Sequence, residues 1–334
     1  MWYQVKGNES DIVVSSRVRL ARNLAGFPFD GKLTDKDAKT IIDKIEAALA
    51  GKNYIKTDME SLSPTAAEAL VEKHLISREF AEKKTPHALF VNEGKSISLM
   101  ACEEDHIRLQ CILPGLALSD ALRLAFECDD ALDALDIAFD EKLGYLTHCP
   151  TNLGTGLRAS VMLFLPCLTE GGAIPSLSRQ LAKVGLTLRG LYGEGSESRG
   201  YLYQISNQIS LGVSEDEILT RLQKAVENIV ARERELQNEP KGEEAARRDD
   251  RIARAEGTLR YAELLSSEEL FRLFADVKLG ITQGKVKGIS HEALLTLLIN
   301  AMPATLTENA ADKPKTLFER DRERARFIKQ ALGV

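Results

Sequence analysis

Apolar residues recur along the chain in two rhythms, and the change from one to the other divides it. Up to about residue 213 short alternating stretches dominate. Residues 11–24, DIVVSSRVRLARNL, read as an apolar strand interrupted by Arg17, Arg19 and Arg22; side chains alternate along a strand, so Arg17 and Arg19 leave on one face. A helix opens at Thr34 with Asp37, buries Ile41, Ile42, Ile45 and Leu49, and closes at Gly51. Ser63 and Pro64 open another that runs to His74. From His87 to Leu113, ALFV, SISLMA and IRLQCIL alternate and are punctuated by the turn Asn92-Glu93-Gly94-Lys95, which predicts antiparallel pairs. Ser119 starts a helical stretch to about Ala138, with Leu122, Leu124, Ala125, Leu132 and Leu135 as core positions. An apolar run over 161–165 predicts a buried strand, a loop with Gly171, Gly172 and Pro175 leads to a short helix over 176–184, and LTLRGLY and residues 201–209 are further strands. Strands with interspersed helices but no regular βαβ rhythm predict an α+β fold, an antiparallel sheet flanked by helices.

At Ser214 the period becomes helical. Ser214 with Glu217 is a capping box, followed by Ile218, Leu219, Leu222, Val226, Ile229 and Val230 at helical spacing. Residues 238–250 predict a polar hinge; helices are expected over 251–265, from a second capping box at Ser266 and Glu269 to 277, over 290–301 and from about 315. The expected organisation is thus a domain over 1–213 and an all-α domain over 214–334.

The chain of 334 residues, 44% hydrophobic, can bury a sizeable core across two domains. Its net charge of −6 argues against general affinity for nucleic acid, so any anion site must be built from grouped cations. Cys102, Cys111, Cys128, Cys149 and Cys167 form an odd set with no CxxC pair, and the first residues show no basic-then-apolar signal. Reduced thiols and a cytoplasmic location are expected. No apolar run approaches the ~20 residues of a membrane helix, and the histidines are too scattered for a metal motif.

The most suggestive chemistry lies in HCPTNLGTGLRASV, residues 148–161. Gly154 and Gly156 would let backbone N–H groups approach an anion, and Arg158 entering a strand could be held against a phosphate. An ordinary turn remains the alternative, since there is neither a Walker A lysine nor GxGxxG. Arg17 and Arg19 would suit a polyphosphate or sit on a solvated edge strand. Glu103, Glu104 and Asp105 are costly to bury without a cationic partner, or else form a polar hairpin tip. His74 reads as an ordinary structural histidine. The closing run FERDRERARFIKQ reads as a solvated helix face with charge pairs four apart.

Together, SSRVRLARNL, CEEDHIRLQ, HCPTNLGTGLRASV, RGLYGEGSE and YQISNQISLG, in this order and at these spacings, resemble the catalytic domain of the phosphagen (guanidino) kinases, which is glutamine synthetase-like. The match is closest to the bacterial protein-arginine kinases of the McsB type, which share RGLYGEGSE and a closing RDxxRA motif, here Arg320 to Ala325. The resemblance implies ATP as phosphoryl donor, with Mg²⁺. It implies nucleotide-phosphate arginines at Arg17, Arg19, Arg108, Arg158 and Arg189, with Ser15, Ser16 and Val18 in the first of these segments. Ala159, Ser160, Val161 and Met162 follow Arg158 in the nucleotide site, and Gly190, Leu191, Tyr192, Gly193 and Glu194 follow Arg189. His74 corresponds, more loosely, to a histidine near the adenine. Glu104 and Glu194 fall on the carboxylates that hold a substrate guanidinium, Cys149 on the reactive cysteine, and Arg320, Asp321, Arg324 and Ala325 on a phosphoarginine-binding site.

Relatives of this type phosphorylate exposed arginines of proteins, mark them for the Clp chaperone-protease system and act on repressors of stress genes. The resemblance therefore also implies a zinc-binding activator protein as partner, and the apolar helical half makes a homodimer plausible; neither membrane nor direct nucleic-acid binding is expected. The chain departs from the family pattern at Met162, at Cys102 and in GEGSES, and no counterpart of the separate N-terminal helical domain of the small-molecule kinases is expected. A kinase for free arginine, or a phosphoarginine-binding adaptor without catalysis, are the competing readings.

Overall fold

The arginine-bearing segment near the start of the chain becomes the centre of the sheet. In a computed structural model, which describes residues 1–191 and 198–334, it forms β1 (Val13–Arg22). Helix α1 (Asp35–Ala48), capped by the Thr34 hydroxyl, leads to β2 (Tyr54–Asp58), and α2 (Pro64–Glu72) and α3 (Arg78–Glu82) lead to β3 (Ala88–Asn92), β4 (Ile97–Ala101) and β5 (Ile107–Pro114). Then come α4 (Leu118–Asp130), the short pair β6 (Phe139–Asp140) and β7 (Gly144–Tyr145), β8 (Leu157–Phe164), α5 (Pro166–Glu170), α6 (Ile174–Lys183), β9 (Leu186–Gly190) and β10 (Leu202–Asn207). Six helices complete the chain: α7 (Glu215–Asn238), α8 (Gly242–Tyr261), α9 (Ser267–Thr282), α10 (His291–Asn300), α11 (Pro303–Asn309) and α12 (Leu317–Leu332).

Eight strands form one sheet in the order β2-β3-β4-β5-β1-β8-β10-β9, with every neighbouring pair antiparallel. Its two faces have opposite character. Val18 and Leu20 of β1 lie with Leu109, Ala159, Val161 and Ile205 in an apolar core closed by α4, α6 and α7. The other face carries Arg17 and Arg19. Towards one end of that face Val14, Ile112, Met162, Phe164 and Leu202 pack into a second core with α8, α9, α10 and α12. Part of the polar face is therefore roofed by the C-terminal helices, and the arginines lie beside that roof.

Four expectations change. The helix expected to reach Ala138 ends at Asp130. Asp129, Asp130 and Asp133 oppose the negative end of a helix dipole, and the chain turns so that Ile137 bridges to Leu24 and the Ala138 N–H donates to Asn23 O. The hinge expected over 238–250 shrinks to 239–241, because α8 starts at Gly242 with Glu243–Arg247 and Asp250–Arg254 pairs four residues apart. Helices α3, α5 and α11 and strand β2 were not anticipated. Apolar packing also crosses the expected boundary at 213/214: the stripe of α7 from Ile218 to Val230 belongs to the first core, beneath the sheet. Among the described residues no helix is long and apolar enough to cross a membrane.

Candidate active site

Strand register gathers arginines from four strands on one face. Arg19 pairs with Arg158 across β1 and β8, Arg108 on β5 lies opposite Ala21, and Arg189 on β9 lies opposite Gln204 on β10. Neighbouring polar groups hold the side chains: Arg17 Nη2 donates to Gln204 Oε1 at 2.9 Å and its Nε to Ser160 Oγ at 3.4 Å, while Arg158 Nη2 donates to Ser206 Oγ at 3.3 Å. Arg108 Nη1 lies 2.6 Å from both oxygens of Glu103.

This grouping is electrostatically costly by itself. Burial, and then the charges of Arg17, Arg108 and Arg158, hold the Arg19 guanidinium well below its ordinary pKa; burial, Arg189 and Arg108 lower that of Arg158. The buried Nε groups of both Arg19 and Arg158 have no hydrogen-bond partner among the described residues. Buried donors and mutually repelling cations are what a polyanion would satisfy. A cavity of about 310 Å³ opens beside them, lined by Arg158, Arg189, Thr151, Asn152, Thr187 and Asn207.

The glycine loop works differently from the expectation. Gly154 (φ +103°) and Gly156 (φ +65°) are left-handed because their backbone packs closely on the protein itself: a Cβ on Gly154 would collide with Ser210 O, and one on Gly156 would lie 2.6 Å from Arg22 Nη1. The Thr155 N–H is already given to Ser210 O and the Leu157 N–H to Thr155 Oγ1. With those two N–H groups committed within the protein, the loop acts as a brace at the start of β8, where Arg158 stands. Its clamp is Arg22, 1% exposed, which pairs with Asp129 at 2.7 Å, donates to Thr155 O and Ala21 O and stacks on Tyr145 at 3.5 Å. Sequence reasoning noted Arg22 but gave it no role; its odds-and-evens placement, out of step with Arg17 and Arg19, was the available signal.

The acidic triplet separates into three environments. Glu103 is buried against Arg108 and Ser77, which hold its pKa down, and Asp105 is buried accepting from Asn23 Nδ2 and the His148 N–H. Glu104 is the member left half-buried beside the arginines, its pKa raised by burial and by Asp105, with Arg108 acting the other way. Its N–H donates to Glu103 Oε2, and its carbonyl lies 3.2 Å from His148 Nδ1. The next residue, Cys149, is partly exposed, with Sγ 3.0 Å from Thr151 Oγ1, and is close enough to Arg158 for their charges to interact.

The remaining sequence-predicted residues sort by face. Ser160 touches Arg17, and Met162 packs under the C-terminal helices. Val18, Ala159 and Val161 are fully buried on the opposite face, so they seat the arginines instead of meeting a ligand. Ser16 is likewise buried, its hydroxyl joining Gly115 O to the Ala117 N–H, and Ser15 is buried next to it. Gly190 ends β9, and Leu191 extends its pairing by donating to Leu202 O. Tyr192, Gly193 and Glu194 lie outside the described residues. His74 follows α2 in a left-handed conformation (φ 58°), 5.8 Å from the Trp2 ring; burial and the charge of Arg17 lower its pKa to about 4, which keeps it neutral at physiological pH.

The closing motif is only partly at the surface. Arg320 and Asp321 are partly exposed, but Arg324 is 1% exposed and Ala325 is buried in the core. Arg324 Nε donates to Ala301 O at 2.8 Å, and its Nη1 donates to Leu265 O and Asp321 Oδ1, each at 2.7 Å. The two arginines therefore do not project together from a solvated face: Arg324 staples α12 to the start of α9 and the end of α10.

Comparison with known proteins agrees with this arrangement. The family described as ATP:guanido phosphotransferase, C-terminal catalytic domain, matches residues 35–236, and that described as protein-arginine kinase McsB C-terminal domain matches residues 246–334. The chain is 42% identical to the protein-arginine kinase of Pelotomaculum thermopropionicum, over 99% of this chain and 95% of the relative. It is 40% identical to that of Moorella thermoacetica, over 99% and 97%. Among solved structures it resembles a lombricine kinase (TM-score 0.61, 24% identity, 70% of this chain and 69% of that one) in fold. It also resembles the duplicated taurocyamine kinase of Schistosoma mansoni bound to transition-state analogue components (TM-score 0.63, 26% identity, 81% and 40%).

Proposed function

The chain belongs to the ATP:guanido phosphotransferase family and, within it, to the protein-arginine kinases, phosphotransferases that use ATP; we propose that it phosphorylates exposed arginines of proteins at the site built around Glu104, Cys149 and the arginine face. The observation that carries this assignment is the pair of buried Nε groups on Arg19 and Arg158 that have no partner among the described residues, together with the half-buried Glu104 carboxylate. Polyphosphate oxygens would take those donors and the charges of Arg17, Arg108 and Arg189. Among the described residues no group of three or more His, Cys, Asp or Glu could hold a metal ion, so Mg²⁺ fits here as a companion of the phosphates, adding neutralising charge to them.

The acceptor guanidinium is protonated, with a pKa above ~12, and its nitrogen needs to lose a proton to attack. Glu104, raised by burial and poised beside the arginines, accepts that proton and orients the planar fork, with Glu194 as the second carboxylate in this reading. The N–P bond forms as the bond from the γ-phosphorus to the β,γ-bridging oxygen breaks, ADP leaves, and the charge passing to the bridging oxygen is met by fixed guanidinium groups. A Cys149 thiolate would add a third negative partner for the acceptor, stabilised by Arg158. Marking of proteins for Clp-type proteolysis, control of stress-gene repressors, a zinc-binding activator, a dimeric state and a cytoplasmic location belong to the same proposal and rest on kinship.

Incubation with ATP and either an unfolded protein or free L-arginine, read by mass spectrometry for acid-labile phosphoarginine, tests the assignment. Modified protein is expected from the wild type, with Glu104→Gln reducing the rate ~10²- to 10⁴-fold at near-normal nucleotide affinity. Phosphorylation of free arginine alone would favour the small-molecule reading, and normal turnover by the variant would remove Glu104 from the mechanism.

A further inference from the structure

Glu72 is a buried acid that the proposed chemistry does not use. It ends α2, is 7% exposed, and its carboxylate accepts the Ala304 N–H at 2.9 Å and the Thr305 N–H at 2.6 Å, in the first turn of α11. Ala301, which ends α10 two residues before α11 begins, gives its carbonyl to Arg324 of α12. Glu72 is therefore one of the points at which the C-terminal helices hold the sheet domain, beside the apolar packing of α8, α9, α10 and α12 on the sheet. Burial raises the pKa of this carboxyl above its ordinary value, with the two N–H groups acting the other way.

The chain leaving Glu72 has little freedom before it reaches the site. Lys73 O accepts from Trp2 Nε1, and His74 turns left-handed beside Arg17. His74 O and Leu75 O accept from Gln110 Nε2 at 2.7 and 3.0 Å, and Leu75 O also accepts from Ser98 Oγ at 2.7 Å. Gln110 is the strand partner of Arg19. Ser77 then donates to Glu103 Oε1 at 2.6 Å, and Glu103 holds both the Arg108 guanidinium and the Glu104 N–H.

We infer that Glu72 is a positioning residue for the active site, through which α11 of the C-terminal helical region fixes His74 and, by way of Ser77 and Glu103, the placement of Arg108 and Glu104. The inference rests on the functional reading above and extends it to a residue that touches no reactant. A carboxylate suits the task because both of its oxygens face N–H donors. Glutamine would keep one acceptor and turn an NH₂ group towards the other N–H, releasing α2 from α11 without removing packing volume.

The test uses the full-length chain. ATP affinity is measured directly, together with ATP KM, kcat and thermal unfolding, for the wild type, Glu72→Gln, Ser77→Ala and the double variant. Loosening of a positioned wall is expected to weaken ATP binding about 3- to 30-fold in Glu72→Gln. Ser77→Ala should do the same to a similar extent, and the double variant should be little worse than the weaker single one, because both cut one line of support. A purely structural role predicts a lower unfolding temperature with normal ATP affinity in the folded protein, and separate roles predict additive losses; either result overturns the inference. If Glu72→Gln does not fold, Glu72→Asp, which keeps the charge but draws it back by one methylene, is read the same way. Wild-type protein that binds ATP and phosphorylates arginine while the variants match it would sink this inference alone. Wild-type protein that binds no ATP would sink the functional reading with it.

Discussion

Lys278 on α9 should destabilise the protein at neutral pH, and replacing it with methionine should stabilise it. Its ammonium is 3% exposed, donates to Ser10 O at 2.7 Å, lies 3.4 Å from His291 Nδ1 and 5.4 Å above the Phe164 ring. Asp11 and Glu292 favour its charge, but Asp11 is already paired with Arg234, and burial dominates, bringing the lysine from 10.5 down to about 7. His291, brought down to about 4 by burial and by Lys278 itself, stays neutral, and Lys6 adds a further like charge near that ring. The gap between the buried and ordinary lysine values is worth about 5 kcal/mol, of which about 4 remains at pH 7. The unfolded chain keeps this proton up to about pH 10.5 and the folded chain only to about pH 7, so folding releases it between those limits and stability rises with pH there. Below about pH 7 the whole penalty is present. Lys278→Met removes the penalty and fills similar volume, but leaves Ser10 O unpaired at a cost of about 1–3 kcal/mol. Denaturant unfolding at about pH 7.5 should therefore show the variant about 1–3 kcal/mol more stable, and at about pH 9.5 the wild type should have gained about 2–3 kcal/mol relative to it. A variant less stable at the lower pH, or a difference that does not change with pH, would refute the burial argument.

Two further predictions concern the site. Gly156→Ala has to place a Cβ 2.6 Å from Arg22 Nη1 and 2.7 Å from Ala21 O at a left-handed φ, so unfolding measurements should show a loss of about 2–4 kcal/mol together with weaker ATP binding; an unchanged unfolding midpoint would contradict the brace assigned to this loop. Burial pushes the thiols of Cys102, Cys111 and Cys167 up to about 12 and that of Cys128 to about 11, so limiting iodoacetamide near neutral pH should label Cys149 first, with ATP and substrate slowing the reaction. Peptide mapping that finds another cysteine modified ahead of Cys149 would leave it a structural role.

The elements that could be read from sequence were those with local causes. Alternation sufficed for β3, β4 and β5, and apolar runs for β1 and β8, because each buries one face or both. The capping box at Ser214 and Glu217 forms as expected. Ser266 caps α9 by accepting the Glu269 N–H, and an unanticipated box forms at Thr316 and Glu319. Helix α11 escaped notice because its seven residues carry no side-chain cap of their own; the groups that receive its first N–H donors come from Glu72, more than two hundred residues earlier.

Sequence by itself determined the inventory: an antiparallel sheet with helices, a helical second half, and the arginines, acids and cysteine that mark a guanidino kinase. Tertiary structure decided what each of them is free to do. Arg17, Arg19 and Arg22 stand in one strand, yet register with β5 and β8 leaves the first two on the polar face while Asp129 and Thr155 bury the third. Glu103, Glu104 and Asp105 are consecutive, yet Arg108 and Ser77 take the first and Asn23 and His148 the last, so the middle one is left half-buried beside the arginines. Arg320 and Arg324 share a helix, but carbonyls at the ends of two other helices draw Arg324 inside. The reason is common to all three: a charged side chain's role follows from the partners that reach it from elsewhere in the chain, and burial makes those partners obligatory.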